Sequence, residues 1–239
     1  MISIPLLLTE QHVCSYLDDE LAQPAFVHPA FEMTQALYSR LIQQGFRRSG
    51  DEVYSPHCPN CSACIPVRLM VNQFQPNRSQ KRCLQKNRNT YVTVMPAEFN
   101  QQHYDLYLRY QAHRHKDGSM QNSGPEEYIR FLKSTWCETR FMEFTINGEL
   151  SAVAVVDVVE NALSAVYTFF DPKFSAYSPG MYAVLWGIEW AKQQGLEFLY
   201  LGFWIKQCKK MSYKSNYQPL QQLKNKQWLF FNGDVNEKV

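Results

Sequence analysis

The chain has 239 residues, 45% of them hydrophobic and 19% charged. That is enough for a sizeable core in one large domain or two small ones, and it excludes a disordered chain. A formal net charge of +2 excludes a uniformly basic nucleic-acid binder, so any such role must come from local clusters.

The N-terminal stretch MISIPLLLTEQHVCSYL has a short apolar run, Ile2 to Leu8, broken by Pro5. It lacks the basic flank and length of a signal peptide, and no segment reaches about 18 apolar residues, so a cytoplasmic location without a membrane span is expected. In that compartment seven cysteines, an odd number, read as thiols or ligands rather than disulfides. Cys14, Cys58, Cys61, Cys64 and Cys83 all fall in the first third, which predicts a smaller cysteine-bearing α+β domain over residues 1–96. Within it Met33, Leu37, Leu41 and Ile42 have helical spacing with Gly45 as the stop. Ile65, Val67, Leu69 and Val71 alternate as a half-buried strand. TYVTVMP reads as a further strand closing the module, with the boundary near Pro96.

Residues 97–239 read more regularly. Phe99, His103, Leu106, Tyr107 and Tyr110 share one helical face. The polar stretch KDGSMQNSG interrupts, and PEEYIRFLKSTW restarts a helix with Pro125 at its first position. Three strands are expected over Arg140–Ile146, Glu149–Val158 and Ala162–Phe170, with a tight turn at Asn147-Gly148 and a reversal at Glu160-Asn161. A helix from Pro179 to its Gly195 stop precedes a buried strand, LEFLYLGFW. Meander, helix and strand in this order predict an α+β, GNAT-like acyltransferase domain: a mixed sheet flanked by helices. Element order alone does not establish function.

The run YSPHCPNCSACIPVRL places Cys58, Cys61 and Cys64 at intervals of three. Such thiols can converge on zinc or an iron–sulfur cluster, or simply pack. Arg68 stands where a ferredoxin-type run would put its fourth cysteine. Cys14 is then the first choice for a fourth ligand, with Cys83 and His57 behind it. Thiol redox chemistry fits less well, because the flanks are not a thioredoxin-like βαβ unit. The segment NRSQKRCLQKNR carries Arg78, Lys81, Arg82, Lys86 and Arg88 without an acid. Arg78, Arg82 and Lys86 lie on one helical face, suited to phosphates or to plain solvation. RYQAHRHKDG adds Arg109, His113, Arg114, His115 and Lys116 at a helix end, where a histidine can also simply favour the dipole. IKQCKKMSYKSNYQ interleaves Lys206, Lys209, Lys210 and Lys214 with Tyr213 and Tyr217, a pattern that suits nucleic acid or an amphipathic surface. No Walker loop, G-x-G-x-x-G, H-E-x-x-H or nucleophile elbow is present, and FSAYSPGMY lacks the glycine-rich cradle a coenzyme A donor needs.

Taken together, CSYL, YSPHCPNCSACIPVRL, SQKRCLQKN, YQAHRH, VYTFFDP, SPGMYAVLWGIEWAKQQGLEFLYLGFWI and KMSYK resemble the aminoacyl-tRNA–protein transferase family, most closely its bacterial branch, the aspartate/glutamate leucyltransferases. The resemblance runs in order along nearly the whole chain. It implies a cytoplasmic enzyme that moves leucine from leucyl-tRNA to an N-terminal Asp or Glu, marking the protein for N-degron degradation. An arginyl-tRNA donor, or a metal-stabilised RNA-binding protein without catalysis, are the alternatives. The sequence departs from the eukaryotic relatives, which carry a cysteine pair in the first motif, whereas here Cys14-Ser15-Tyr16 is followed by Leu17. The implied chemistry requires no cofactor, because the ester is already activated, although zinc or an iron–sulfur cluster on Cys14, Cys58, Cys61 and Cys64 is expected as an organising site. The expected catalytic groups are Asp171 as amine-orienting group or base and Tyr167 or Tyr200 as hydroxyl donors. Arg68, Arg114 or Lys214 would hold the acidic side chain, and Arg78, Lys81, Arg82, Lys86 and Lys210 the tRNA.

Overall fold

The computed structural model describes residues 3–114 and 123–232. Short strands β1 (Leu6–Leu8), β2 (His12–Val13), β3 (Leu21–Ala22) and β4 (Pro24–Val27) lead into helix α1 (Gln35–Gln43), then β5 (Arg47–Ser49) and β6 (Glu52–Pro56). The Thr34 side chain caps α1 by accepting from the Leu37 amide. The expected stop at Gly45 holds: its φ is +92°, and a Cβ there would lie 2.9 Å from Pro66. Strands β1, β4, β6 and β5 form one antiparallel sheet in that order, and β2 pairs with β3 in a separate hairpin.

The second sheet takes strands from both halves of the chain. The elements that follow are β7 (Ile65–Met70), α2 (Arg78–Lys86), β8 (Tyr91–Pro96), α3 (Gln101–Arg114), α4 (Pro125–Leu132), β9 (Glu138–Ile146), β10 (Glu149–Val159) and β11 (Ala162–Phe170). The chain continues with α5 (Pro179–Gln193), β12 (Phe198–Trp204), the short α6 (Lys209–Ser212), β13 (Leu220–Lys224) and β14 (Gln227–Phe230). The strand order is β14-β13-β7-β12-β11-β10-β9-β8. The fold is therefore α+β with a large mixed sheet, and it contains the expected GNAT-like order of meander, helix and parallel strand.

Two details differ from the sequence expectations. Strand β8 closes no N-terminal module; it is the edge strand beside β9, and β7 sits between β12 and β13. The division near Pro96 thus falls within one continuous sheet. Phe99 precedes α3 and is exposed, while Gln111 takes a buried place on that helix, because the amphipathic face starts only at His103.

The sheet is covered on both faces. Val67, Leu69, Leu163, Leu199 and Leu201 pack against Leu185 and Ile188 of α5, onto which α2 is laid through Cys83. On the other face Phe141, Val153 and Phe169 meet Tyr107 of α3 and Tyr128 of α4. Further along that face, Val159, Ala162 and Tyr200 meet Tyr38, Leu41 and Ile42 of α1. The two sheets are clamped by Arg48, whose Nε and Nη2 donate to the Asp157 carboxylate at 2.7 and 2.5 Å; both side chains are wholly buried. The same guanidinium reaches the carbonyls of Gly50 and Leu132 and the Thr139 hydroxyl, tying β5 to β9, β10 and the end of α4.

Candidate active site

Strands β11 and β12 run parallel but pair over only three residues each, Ala162–Ser164 with Phe198–Tyr200. Beyond Tyr200 the register of β12 against β7 shifts at a bulge, with Gly202 at φ +81°. Beyond Ser164, β11 stays with β10, also through an irregularity in register. The sheet splits there, exposing strand edges whose carbonyls need partners.

Two cations supply them. Arg47, reaching over from β5, donates from Nη1 to the Ser164 hydroxyl at 2.9 Å and from Nη2 to the Ala165 carbonyl. Lys214, just beyond α6, donates from Nζ to the Phe203 carbonyl at 2.5 Å and to Met211 Sδ at 3.1 Å. Arg47 thus holds the β11 arm of the split and Lys214 the β12 arm. A Cβ on Gly202 would lie 3.6 Å from Arg47 Nε and 3.7 Å from Lys214 Nζ, so both cations flank one point. They are 8% and 6% exposed. Burial, and then the charge of Arg47, pull the Lys214 ammonium down to about 7.

The split adjoins the cysteine loop. Tyr54 stands opposite Arg47 in the β5–β6 register, its ring centroid 6.4 Å from that of Phe203. Cys14, Cys58, Cys61 and Cys64 line one cavity of about 410 Å³ together with His57, Leu17 and Pro59. Burial pushes the Cys64 thiol up to about 12, and the charges of Cys14, Cys58 and Cys61 add to it. Cys64 lies close enough to Lys214 and Tyr54 that a thiolate there would act on both, so loop and split adjoin. Four thiols facing one cavity are the donor set a soft metal or iron–sulfur cluster takes. The described residues nevertheless include no group of three or more His, Cys, Asp or Glu side chains gathered to hold a metal ion. Cys83 lies elsewhere, on α2, with its Sγ 3.8 Å from the Tyr177 carbonyl, which removes it as a fourth ligand.

The other expected residues divide by place. Tyr167 lies on the β11 arm and its hydroxyl accepts from Gln111 Nε2 at 3.1 Å; burial raises its pKa, so it stays a protonated donor. Asp171 follows the end of β11, accepts from the Lys173 amide as cap of the Pro172–Tyr177 turn, and lies 3.4 Å from Arg109 Nε. Arg114 is exposed at the end of α3, beside Tyr110. His115 and Lys116 lie outside the described residues. Arg68 and Tyr200 form a separate unit: the Arg68 guanidinium stacks 3.7 Å from the Phe198 ring centroid and 4.4 Å from that of Trp228. It also donates to Gln221 Oε1 at 2.7 Å and to the Tyr200 hydroxyl at 3.3 Å. These contacts satisfy both side chains within the framework.

The expected nucleic-acid residues gather. Arg78, Lys81, Arg82 and Lys86 are exposed on α2, whose Gln80 and Cys83 face inward. Gln80 Nε2 donates to the Asn216 carbonyl at 3.1 Å, which joins this helix to the turn Tyr213–Asn216, the segment that follows α6 with its Lys209 and Lys210. Residues 53–97 and 198–233 both contain no Asp or Glu, so two acid-free stretches meet here. Arg47 was not legible as a site residue. The signal for it is the pair Arg47-Arg48 in a strand, where only one arginine finds a carboxylate.

A split mixed sheet with two buried cations at its opening, beside a basic face, is an arrangement suited to anionic ligands. The matching family models narrow the class. "Arginine-tRNA-protein transferase, N terminus" covers residues 12–82 and "Arginine-tRNA-protein transferase, C terminus" residues 102–224, and the chain belongs to this family. Its relatives include proteins named aspartate/glutamate leucyltransferase. The one from Saccharophagus degradans is 48% identical over 229 residues, 95% of this chain and 97% of the relative. The one from Teredinibacter turnerae is 48% identical over 240 residues, 100% of this chain and 98% of the relative. Among solved structures, the C-terminal domain of a putative lysylphosphatidylglycerol synthetase from Agrobacterium fabrum has a TM-score of 0.46 at 13% identity, over 71% of this chain and 52% of that one. FemX has a TM-score of 0.47 at 7% identity, over 84% and 79%. No helix among the described residues is long and apolar enough to cross a membrane.

Proposed function

We propose that this chain transfers leucine from leucyl-tRNA to the N-terminal Asp or Glu of proteins in the cytoplasm, marking them for degradation. Near-full-length similarity to relatives of that name supports the donor and acceptor. The observation that carries the reading is the meeting of two acid-free, lysine- and arginine-rich stretches beside the split sheet. Arg78, Lys81, Arg82, Lys86 and Lys210 would hold the tRNA by its phosphates, with the charged 3′ end directed toward the β11–β12 split.

The chemistry asks little of the protein beyond placement. The ester is already activated, and an α-amine with a pKa near ~8 is partly free at neutral pH. Its nitrogen attacks the ester carbonyl, the C–N bond forms, the C–O bond to the ribose breaks, and the ribose oxygen leaves with the amine proton. Fixing both reactants and donating to the developing oxyanion supply the acceleration. We assign oxyanion donation to the Tyr167 hydroxyl on the β11 arm. Asp171, expected to orient the amine, lies past the end of that strand, about 20 Å of extended chain beyond Ser164. It pairs with Arg109 and supports the following turn instead. Tyr200 supports Arg68 rather than the ester. Cys14, Cys58, Cys61 and Cys64 would hold zinc or an iron–sulfur cluster that organises the loop leading into β7; a bound metal there would fix the wall of the split formed by Tyr54 and Cys64.

Incubation with leucyl-tRNA or arginyl-tRNA and peptides beginning Asp, Glu, Lys or Ala tests the reading by mass spectrometry. A leucine mass gain on the Asp and Glu peptides alone is expected. Arginine addition would assign the sister activity, and no addition with tRNA retained would leave an RNA-binding protein.

A further inference from the structure

We propose that Arg47 and Lys214 together bind the side-chain carboxylate of the acceptor's N-terminal Asp or Glu, and so set acceptor specificity. The inference rests on the transferase reading above and names the residues that would carry its selectivity.

Its basis is a pair of buried cations with neutral partners. Arg47 donates to a hydroxyl and a carbonyl, and Lys214 to a carbonyl and a thioether. Among the described residues neither forms an ion pair with a carboxylate. The adjacent Arg48 shows what a purely structural buried arginine looks like in this fold: it is fully enclosed and bidentate to Asp157. Two cations side by side out of water repel each other, and each forgoes solvation without a counter-charge. An arriving anion relieves both costs.

The geometry fits a carboxylate. Arg47 Nε and Lys214 Nζ lie within 3.7 Å of the point where Gly202 would carry a Cβ, and glycine leaves that point empty. A carboxylate packed against the bare face of Gly202, farther from its Cα than a bonded Cβ would be, can accept from both groups at charge-assisted distances of about 2.8 Å. Burial of the pair favours a side chain over a tRNA phosphate. The phosphate-type cations of this chain, Arg78, Lys81, Arg82 and Lys86, stand in solvent on α2, whereas Arg47 and Lys214 are less than one-tenth exposed. The cations also anchor opposite arms of the split, so a carboxylate held between them places the neighbouring α-amine at the same opening.

The test compares kcat/KM for leucine transfer to peptides that differ only in beginning with Asp or Asn, Glu or Gln. The unaltered enzyme is expected to prefer the acid by on the order of 10³-fold or more, as a site built around a buried polar partner does. Arg47→Gln and Lys214→Gln are each expected to lower transfer to the Asp peptide by about 10²-fold, to lower Asn transfer far less, and to leave leucyl-tRNA affinity intact; Arg47→Lys should recover part of the loss. Equal losses on Asp and Asn peptides, or weakened tRNA binding with the ratio preserved, would overturn the assignment and give the pair to the framework or to the tRNA. A measurement on the unaltered protein covers variants that do not fold. Without tRNA, the Asp peptide should raise its melting temperature and the Asn peptide at equal concentration should not; equal shifts, or none, overturn the proposal. Absence of leucine transfer to any acidic peptide removes the transferase reading itself, whereas transfer with an unchanged acid-to-amide ratio in both variants removes only the cation pair.

Discussion

Replacing Arg78, Lys81, Arg82 and Lys86 together by Ala is the sharpest perturbation of the tRNA face. All four are exposed on α2, and the side chains that seat the helix, Gln80 and Cys83, are untouched. Folding stability should therefore shift little, as for surface substitutions away from caps and cores. Each phosphate contact contributes about 0.9 to the slope of log K against log[salt] on duplex and about 0.7 on single strands. Four lost contacts lower the slope by about 3. Between about 50 and 200 mM salt the unaltered protein then loses about 10²-fold more affinity than the variant does. Filter binding of leucyl-tRNA over that range, with the exposed Arg40→Ala on α1 as control, measures it. Equal slopes for the quadruple variant and the unaltered protein would refute a role for α2 in holding phosphates.

Other predictions concern the framework and the split. Asp157→Ala strands Arg48 in the interior and should cost about 3–5 kcal/mol in urea unfolding, while Arg48→Met with Asp157→Leu should cost far less; a single-variant loss below about 1 kcal/mol contradicts the clamp. Lys214 titrates at about 7 folded against 10.5 unfolded, so between those values the unfolded chain holds the extra proton and stability rises with pH. Lys214→Met should flatten that rise in denaturation at pH 7 and 9, and an unchanged rise would assign it to other groups. Tyr167→Phe should lower kcat by about 10²-fold with KM for the peptide little changed, as for loss of one oxyanion donor; an unaltered kcat removes that role. Serine at Cys58, Cys61 and Cys64 together should lower the melting temperature and transfer rate, and a fully stable, fully active variant would contradict an organising role.

The periodic elements were legible because local patterns decide them. Asn147-Gly148 adopts positive φ at both residues as the hairpin turn requires, and the meander ends within two residues of expectation. Placement was harder to read. β7 and β8 each have an amphipathic or apolar pattern that many partners satisfy, and only long-range pairing puts them in the larger sheet. The hairpin of β13 and β14 was hidden by the polar sequence QQLKNKQ. Among site residues, exposed cations on a helix were visible from spacing. The roles of Arg68 and Arg47 were not, since stacking on Phe198 and insertion into a sheet split depend on residues more than a hundred positions away.

In the proposed arrangement the acceptor's N-terminus enters the split between β11 and β12, apart from the tRNA face. Hydrogen exchange with and without a saturating Asp-initiated peptide tests that placement directly. Slowed exchange is predicted at the backbone amides of residues 165–170 and 202–204 and of the 211–214 segment, with α2 unchanged. Protection confined to α2, or spread to neither arm of the split, would contradict it.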